Sequence, residues 1–210
     1  MTRTVSDLLY AIRTLRRAPV FLAVAVASLA LGIGANTAIF SLLDQVLLRA
    51  LPVRQPGELL VLETPGPKRG RISSDDGGAG AFSYPMYKTL RDGQQAADLI
   101  ARFSIPASIS AAGQTERVSA ELVSGNYFQT LDVRPAIGRV FTQEDDRALK
   151  GHPVVVLSHG FWERRFAKSA GILNESILVN GHRMTVVGVA EAGFFGVQVG
   201  QRPDLFIPMT

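Results

Sequence analysis

The chain has 210 residues, with 22 Lys and Arg, 18 Asp and Glu, and no cysteine. This length is enough for one good-sized core or two small ones. Residues 1–54 hold six arginines and two aspartates, which accounts for the net charge of +4, so residues 55–210 are neutral overall. Because a nucleic-acid-binding domain needs basic side chains gathered on one face, we expect no nucleic-acid partner. The absence of cysteine fits an oxidising and a reducing compartment equally well.

Residues 1–18 are predicted to form a short basic amphipathic helix that lies along a membrane surface. Leu8, Ile12 and Leu15 recur at the spacing of one helix face. Pro19 then ends this helix. Three basic side chains lie mostly off the apolar stripe, namely Arg13, Arg16 and Arg17.

Residues 19–43 are predicted to form a transmembrane helix, because no Asp, Glu, Lys or Arg occurs between Ala18 and Leu43. At a rise of ~1.5 Å per residue the apolar stretch spans ~36 Å, which exceeds a hydrocarbon core of ~30 Å. Gly32 and Gly34 would allow another helix to approach closely. A polar Asn36 in the far half is best explained by packing against partner helices.

The arginines that precede the span predict its orientation. By the positive-inside rule the N-terminus lies in the cytoplasm. Everything after Asp44 then lies outside it, which in a bacterium means the periplasm and an anchor in the inner membrane. The arginines could contact lipid headgroups or a protein at the cytoplasmic face.

Two other interpretations of the apolar stretch compete with a retained anchor. A cleaved signal peptide also has basic residues followed by an apolar region, but that region usually covers only about 7–15 residues. A buried helix of a soluble protein is the second alternative. A run of 26 residues without a charge, from Ala18 to Leu43, argues against both.

The remaining sequence is predicted to be a linker, residues 44–57, and a mixed domain, residues 58–210. Pro52 and Pro56 prevent a helix from continuing through the linker. Residues 64–80, rich in Pro, Gly, Ser and Asp, read as a surface loop. The elements expected up to residue 131 are a strand at 59–62, a helix from Ser83 to Arg91, strands at 100–105, 108–111 and 116–123, and a helical turn at 126–131.

The C-terminal part continues the alternation of strands and short helices. Pro135 and Gly138 mark a loop. Thr142 is expected to cap the start of a helix whose first turn carries acidic residues. Asn180 and Gly181 suit a type I′ turn between two alternating strands. The other expected elements are a strand at 153–157, a helix at 160–166 and a strand that starts at 203. This mixture predicts the α+β fold class.

No group of residues in the sequence predicts catalysis. Ser158 and His159 are adjacent after a strand, but the Gly-x-Ser-x-Gly pattern is absent, so Ser158 is expected to cap the strand end. The spacing of His152, His159 and His182 fits no familiar metal site. The acidic residues after Thr142 are expected to serve the helix cap rather than a cation. No P-loop occurs in the chain, and we expect no enzymatic activity, cofactor or metal.

Three groups of residues together resemble one family. They are 29–41 with 46–52, 123–131 with 134–141, and 153–166 with 179–181 and 186–189. These stretches are similar to MacB/FtsX-type ABC transporter permeases, and most similar to the large duplicated permeases called acidobacterial orphan permeases. The last two groups resemble the MacB-like periplasmic core domain. The departures are small: Ala50 stands where such sequences often have Pro, and Asn174 where they often have Gly.

The resemblance implies a permease with four membrane helices and a periplasmic domain between the first two. It also implies a partner permease, in a homo- or heterodimer, and a separate or fused ATPase whose motion is transmitted to the periplasmic side. The chain then represents the first helix and the start of the core domain. Arg13, Arg16 and Arg17 would face the cytoplasm near the ATPase, and Gly32, Gly34 and Asn36 would pack against other helices.

A different class of function fits the same sequence without the family. The chain could be a single-pass anchored binding module that has no role in transport. An exported enzyme is a third class, which would require activity that depends on Ser158 or the histidines. The sequence carries no signal for a particular substrate.

Overall fold

The computed structural model describes residues 18–44, 51–63, 81–111, 113–147, 151 and 153–210. The chain divides into two units, residues 1–49 and 50–210, which are described separately below. In the first unit, helix α1 spans Pro19–Leu43. Pro19 at its first turn supplies a preset helical φ where no N–H is needed. The observed helix coincides with the predicted one.

The second unit contains three α-helices and seven strands within the described residues. The helices are α2 Tyr84–Gly93, α3 Tyr127–Thr130 and α4 His159–Phe166. The strands are β1 Arg102–Ala111, β2 Gln114–Val123, β3 Pro135–Gly138, β4 Val154–Leu157, β5 Ser176–Val179, β6 His182–Ala190 and β7 Leu205–Pro208. This mixture confirms the α+β class.

The seven strands form one sheet in the order β3-β6-β4-β7-β2-β1-β5. Strand β5 pairs with β1 and also with β6, so six of the strands close into a ring. One edge of β6 is shared: its first half pairs with β5 and its last residues pair with β3. The β2–β7 and β4–β6 pairs are parallel, and the other pairs are antiparallel.

Two hydrophobic clusters cover opposite faces of the central strands. Because successive side chains of a strand point to opposite faces, Val155 and Leu157 of β4 enter the first cluster and Val156 enters the second. The first cluster also holds Phe161 and Trp162 of α4. The second cluster is rich in aromatic rings, namely Tyr127, Phe128, Phe141, Phe194 and Phe206.

The predicted cap at Thr142 and the predicted turn are confirmed, and the helix expected from Ser83 begins with a side-chain cap. The Ser83 side chain accepts a hydrogen bond from the Met86 N–H at the start of α2, at 3.4 Å. Asn180 and Gly181 both have positive φ, 50° and 81°, as a type I′ turn between β5 and β6 requires. The acidic segment after Thr142 forms a 3₁₀-helix, Gln143–Asp146, with a capping box.

The predicted strand at residues 59–62 is wrong. Among the described residues this segment belongs to no strand ladder. Leu60 and Val61 are 86% and 88% exposed. Strand propensity alone does not make a strand, since the backbone groups need a neighbouring strand to pair with.

Two further boundaries differ from the prediction. The strands expected at 100–105 and 108–111 are one strand, β1, which continues through Pro106. Pro106 is tolerated because it lies on the edge of β1 that faces β5. Strand β5 pairs only with Ile109 and Ser110, so no ladder needs an N–H at residue 106. The loop expected at Pro135 and Gly138 is the short edge strand β3, which pairs with β6 through a register shift.

Part of the predicted linker packs within the second unit. Val53 packs against the second cluster, and the Arg54 guanidinium lies 3.0 Å from the Asp132 carboxylate. Leu59 packs against the same cluster. The domain division at residue 57 stays a prediction, but these contacts place residues 53–59 against the folded core.

The buried carboxylate of Asp145 holds the turn after β3 in place. The Arg139 guanidinium donates to both of its oxygens, at 2.7 and 2.8 Å, and the Thr142 N–H donates at 2.9 Å. Burial by itself would raise the pKa of this carboxyl, but the hydrogen bonds from Arg139 and Thr142 outweigh burial and lower the pKa below its usual value.

Asp145→Asn is therefore expected to lower the free energy of unfolding at neutral pH by about 1–2 kcal/mol, discounted because Arg139 is half-exposed. A carboxyl whose pKa is lower in the folded state stabilises above its unfolded pKa of about 3.9 and loses that contribution as the pH falls. The difference between the two proteins should thus shrink below about pH 4. Thermal unfolding, followed by fluorescence of the single tryptophan, Trp162, measures it.

Glu144→Gln is the matched control, because Glu144 pairs with Arg147 on the surface and both side chains are about two-thirds exposed. It should change stability by less than about 0.5 kcal/mol. An Asp145→Asn protein that is as stable as the wild type at neutral pH would contradict the assigned role of the carboxylate.

Candidate functional site

Helix α1 is long and apolar enough to cross a membrane over Pro19–Ser41. It is the one such helix found within the described ranges. Its 25 residues give a length of ~37 Å. Its large apolar side chains, including Phe21, Leu31 and Ile33, are mostly exposed in the structure. A helix that is apolar all round is suited to a hydrocarbon environment.

The helix places the three predicted packing residues on two different faces. Gly32 and Asn36 are four residues apart and share a face, whereas Gly34 is turned by about 200° from Gly32. Apart from the neighbouring residues and backbone of the helix itself, no heavy atom of the described residues lies within 4 Å of a Cβ built on either glycine. The structure therefore leaves both glycine positions open to a close approach, but it does not bring them to a single surface.

The face that carries Gly34 consists of small side chains along most of the helix. Its members recur at spacings of three and four residues, namely Ala23, Ala27, Ala30, Gly34, Ala38 and Ser41. Small residues on one face allow two helix backbones to approach closely in a membrane. Sequence reasoning named only Gly34 of this set; the 3.6-residue period was the signal that would have found the rest.

Several predicted residues lie outside the described part of the chain. They are Arg13, Arg16 and Arg17 of the expected surface helix, the loop at 64–80, and His152. Their expected roles stay predictions.

The Ser158–His159 pair is a helix start, whereas the sequence predicts that Ser158 caps the end of the preceding strand. The Ser158 hydroxyl accepts from the Phe161 N–H at 3.3 Å and caps α4. The His159 ring lies edge-on to Trp162, with ring centroids 5.6 Å apart. His182 lies on the exposed hairpin at the start of β6. Within the described residues no three His, Cys, Asp or Glu side chains form a group that could hold a metal ion.

Sequence reasoning missed a buried carboxylate, Asp146, that joins four parts of the domain. Its oxygens accept from the Tyr84 hydroxyl at 3.0 Å, the Gly125 N–H at 3.1 Å and the Thr210 hydroxyl at 2.9 Å. A Cβ at residue 125 would lie 2.8 Å from the Asp146 Cβ, so this approach requires glycine. Burial, with the nearby Asp146 charge, raises the pKa of Tyr84 above its usual value and keeps the phenol a donor.

A second buried carboxylate, Glu121 of β2, lies at the second cluster. It is 3% exposed and accepts from Arg102 at 3.3 Å and from the Tyr127 hydroxyl at 3.4 Å. Burial, followed by the Glu121 charge, raises the pKa of Tyr127 well above its usual value. Both carboxylates thus fix the structure through hydrogen bonds, an arrangement suited to a rigid body rather than to proton transfer.

Asp146→Ala should lower the free energy of unfolding by about 2 kcal/mol, because it leaves the buried Gly125 N–H without an acceptor. Asp146→Asn retains an amide oxygen that can accept from Tyr84 and Gly125, so its loss should be roughly half as large. Urea unfolding followed by Trp162 fluorescence distinguishes the two variants. Equal losses for alanine and asparagine would contradict the hydrogen-bonding role of Asp146.

Comparisons with known proteins bear on the whole chain. A family model of the MacB-like periplasmic core domain matches residues 22–210. No curated protein matches the chain in a sequence comparison.

Three of the solved structures that match the chain illustrate its similarity to known folds. The periplasmic region of MacB from Actinobacillus actinomycetemcomitans is 19% identical, with a TM-score of 0.47 over 58% of this chain and 52% of that one. The extracellular domain of the noncanonic ABC-type transporter YknZ from Gram-positive bacteria is 18% identical, with a TM-score of 0.42 over 52% of each chain. A domain of a putative permease protein from Porphyromonas gingivalis is 13% identical, with a TM-score of 0.42 over 59% and 55%.

The chain thus spans about half the length of the solved structures that it matches. The family model, in contrast, begins inside helix α1 and runs to residue 210. Because this match covers far more than half of the chain, the protein belongs to the family of the MacB-like periplasmic core domain.

Proposed function

We propose that this chain is a membrane-anchored part of the permease component of a MacB-type ABC transport system. Its role is to couple the motion produced by a cytoplasmic ATPase to the opposite side of the membrane, for export or for transmission of force. The observation that carries the proposal is the family match over residues 22–210, since it covers the apolar helix and the folded domain as one unit.

The two faces of α1 support a place among other membrane helices. A helix that only anchored a domain would need apolar side chains but no particular arrangement of small ones. Helix α1 instead has a face of small residues around Gly34. Gly32 and Asn36 lie together on a different face of the helix. We infer that Gly34 and the Gly32–Asn36 pair contact two different partner helices, which a dimer of four-helix permeases would supply.

The orientation follows from the arginines that precede the helix. Arg13, Arg16 and Arg17 place the N-terminus in the cytoplasm, close to the ATPase or to lipid headgroups. The domain then stands in the periplasm, with the helix in the inner membrane.

The domain has the contacts expected of a body that transmits force. Asp204, next to β7, accepts from the Ser119 N–H of β2 at 3.1 Å and from Arg164 of α4 at 3.0 Å. Arg165 of α4 contacts Glu116 at 3.3 Å and donates to the Ala111 carbonyl at 3.1 Å. With buried clusters on both sheet faces, a displacement of one element is passed to its neighbours, since close-packed interiors deform little.

A single-pass anchored binding module is the competing function, and the two make different demands on α1. A simple anchor accepts any apolar side chain at residue 34, whereas a packed helix needs a small one. The proposal is thus tested by adding bulk to that face and measuring assembly.

Gly34→Leu should reduce co-isolation of the chain with a differently tagged second copy, and with the ABC ATPase expressed beside it, by roughly tenfold. The helix itself should remain, because leucine favours a helix over glycine by nearly 1 kcal/mol. Pull-down from membranes solubilised in mild detergent measures the assembly.

Ala35→Leu is the matched control, since it adds a large side chain one residue away on a face that already carries Val24 and Leu31. It should assemble as the wild type does. If Gly34→Leu co-isolates as well as Ala35→Leu, helix packing through this face is wrong and the simple anchor is favoured.

A further inference from the structure

The joint that closes the strand ring is narrow. Strands β1 and β5 are paired at only two positions, Ile109 with Val179 and Ser110 with Leu178. The chain then turns at Asn180 and Gly181 into β6. The rest of β1 extends beyond the end of this ladder. The closure of the ring therefore depends on the contacts that Asn180, the next residue of the chain, makes with β1.

Asn180 extends the joint by one residue through its backbone and its side chain together. Its N–H donates to the Ser108 carbonyl at 2.9 Å. Its side-chain Oδ1 accepts from the Ser108 N–H at 2.8 Å and from the Ser108 hydroxyl at 3.4 Å. The side-chain carbonyl therefore takes the place that a backbone carbonyl would hold in a longer strand. The reciprocal Ser108–Asn180 contact is called the latch below.

The same residue has a reactive sequence neighbour. In an Asn-Gly pair the glycine has no Cβ to hinder attack by its backbone nitrogen on the asparagine side chain. The Gly181 nitrogen loses its proton and bonds to Cγ of Asn180, and the side-chain nitrogen leaves as ammonia. Water then opens the cyclic imide at either carbonyl, to aspartate or isoaspartate. The sum is one asparagine and one water converted to one acidic residue and one ammonia.

The latch opposes the first step of this reaction. Cγ can reach the Gly181 nitrogen only if the Asn180 side chain rotates and the backbone of the turn changes. While Oδ1 accepts from Ser108 and the turn keeps φ at 50° and 81°, the carbonyl group is held in a fixed direction. The reaction is thus restricted to the fraction of molecules in which the β1–β5 joint is open.

We propose that Asn180 is a site of spontaneous deamidation that the Ser108 latch keeps unreactive. Deamidation then occurs only in molecules whose strand ring has opened, and the isoaspartate product keeps the ring open. The two products act differently. Aspartate keeps an oxygen that accepts from Ser108. Isoaspartate adds one carbon to the main chain, which a two-residue turn with this geometry does not accommodate, so the joint does not close again.

The test measures the rate of the reaction in the full chain. The protein in detergent is incubated at mildly alkaline pH, with and without urea, and Asn180 is followed by digestion and mass spectrometry. The three hydrogen bonds of the latch, at ordinary net strength, favour the closed over the open form by a factor on the order of 100. Deamidation of Asn180 should therefore be at least about tenfold slower in the native than in the unfolded chain. Asn126 and Asn174, followed by Tyr127 and Glu175, are internal controls and should react slowly in both states.

Ser108→Pro removes the N–H that holds Oδ1. Pro106 lies two residues earlier in the same strand, so β1 already accommodates a proline that faces this edge. This variant should deamidate at Asn180 several-fold faster than the native wild type, whereas Ser108→Ala, which keeps the N–H, should stay close to it. In the wild-type protein, hydrogen exchange of β5 should rise in the isoaspartate fraction and not in the aspartate fraction.

Equal rates at Asn180 with and without urea would overturn the proposal, as would protected β5 amides in the isoaspartate product. If Ser108→Pro does not fold, the comparison of native and unfolded wild-type chains still decides the matter.

Discussion

Strand β7 is the element on which the domain depends, because it joins two halves that are far apart in the sequence. It pairs in parallel with β2 and antiparallel with β4, and all four of its residues are buried. Leu205 and Ile207 enter the first cluster and Phe206 enters the second. Loss of a buried phenylalanine of this kind typically costs about 3–5 kcal/mol. One strand therefore stabilises both faces of the sheet, and the buried Glu121 of β2 is paired with Phe206 of this strand.

Local sequence signals predicted the elements whose cause is local. The apolar run of α1, the helix start at Ser83, the cap at Thr142 and the Asn180–Gly181 turn each depend on a few neighbouring residues, and each was predicted. Predictions were wrong where a partner strand decides the outcome. Residues 59–62 have strand propensity but no ladder among the described residues, whereas residues 135–138 have turn residues yet pair with β6. Propensity is a weak guide to such pairings because packing against neighbours decides them.

The candidate functional features divide in the same way. The faces of α1, including the separation of Gly34 from Gly32 and Asn36, could be predicted from the 3.6-residue period. The roles of Asp146 and Asn180 could not be read, since their partners lie 21 to 72 residues away. No spacing rule in a single sequence connects Asn180 with Ser108. The Asn-Gly pair predicts the turn at Asn180 but not the hydrogen bonds of its side chain to Ser108.

The central claim is that α1 crosses the membrane and separates the arginine-rich N-terminus from the folded domain. The chain contains no cysteine, so a single engineered thiol can be placed at either end. Gln114→Cys lies on the exposed β1–β2 hairpin, and Thr2→Cys lies before the arginines. With a membrane-impermeant maleimide applied to spheroplasts, the account predicts that the thiol at residue 114 is labelled at once and the thiol at residue 2 only after the membrane is disrupted. Labelling of both thiols from outside, or of residue 2 alone, would contradict it.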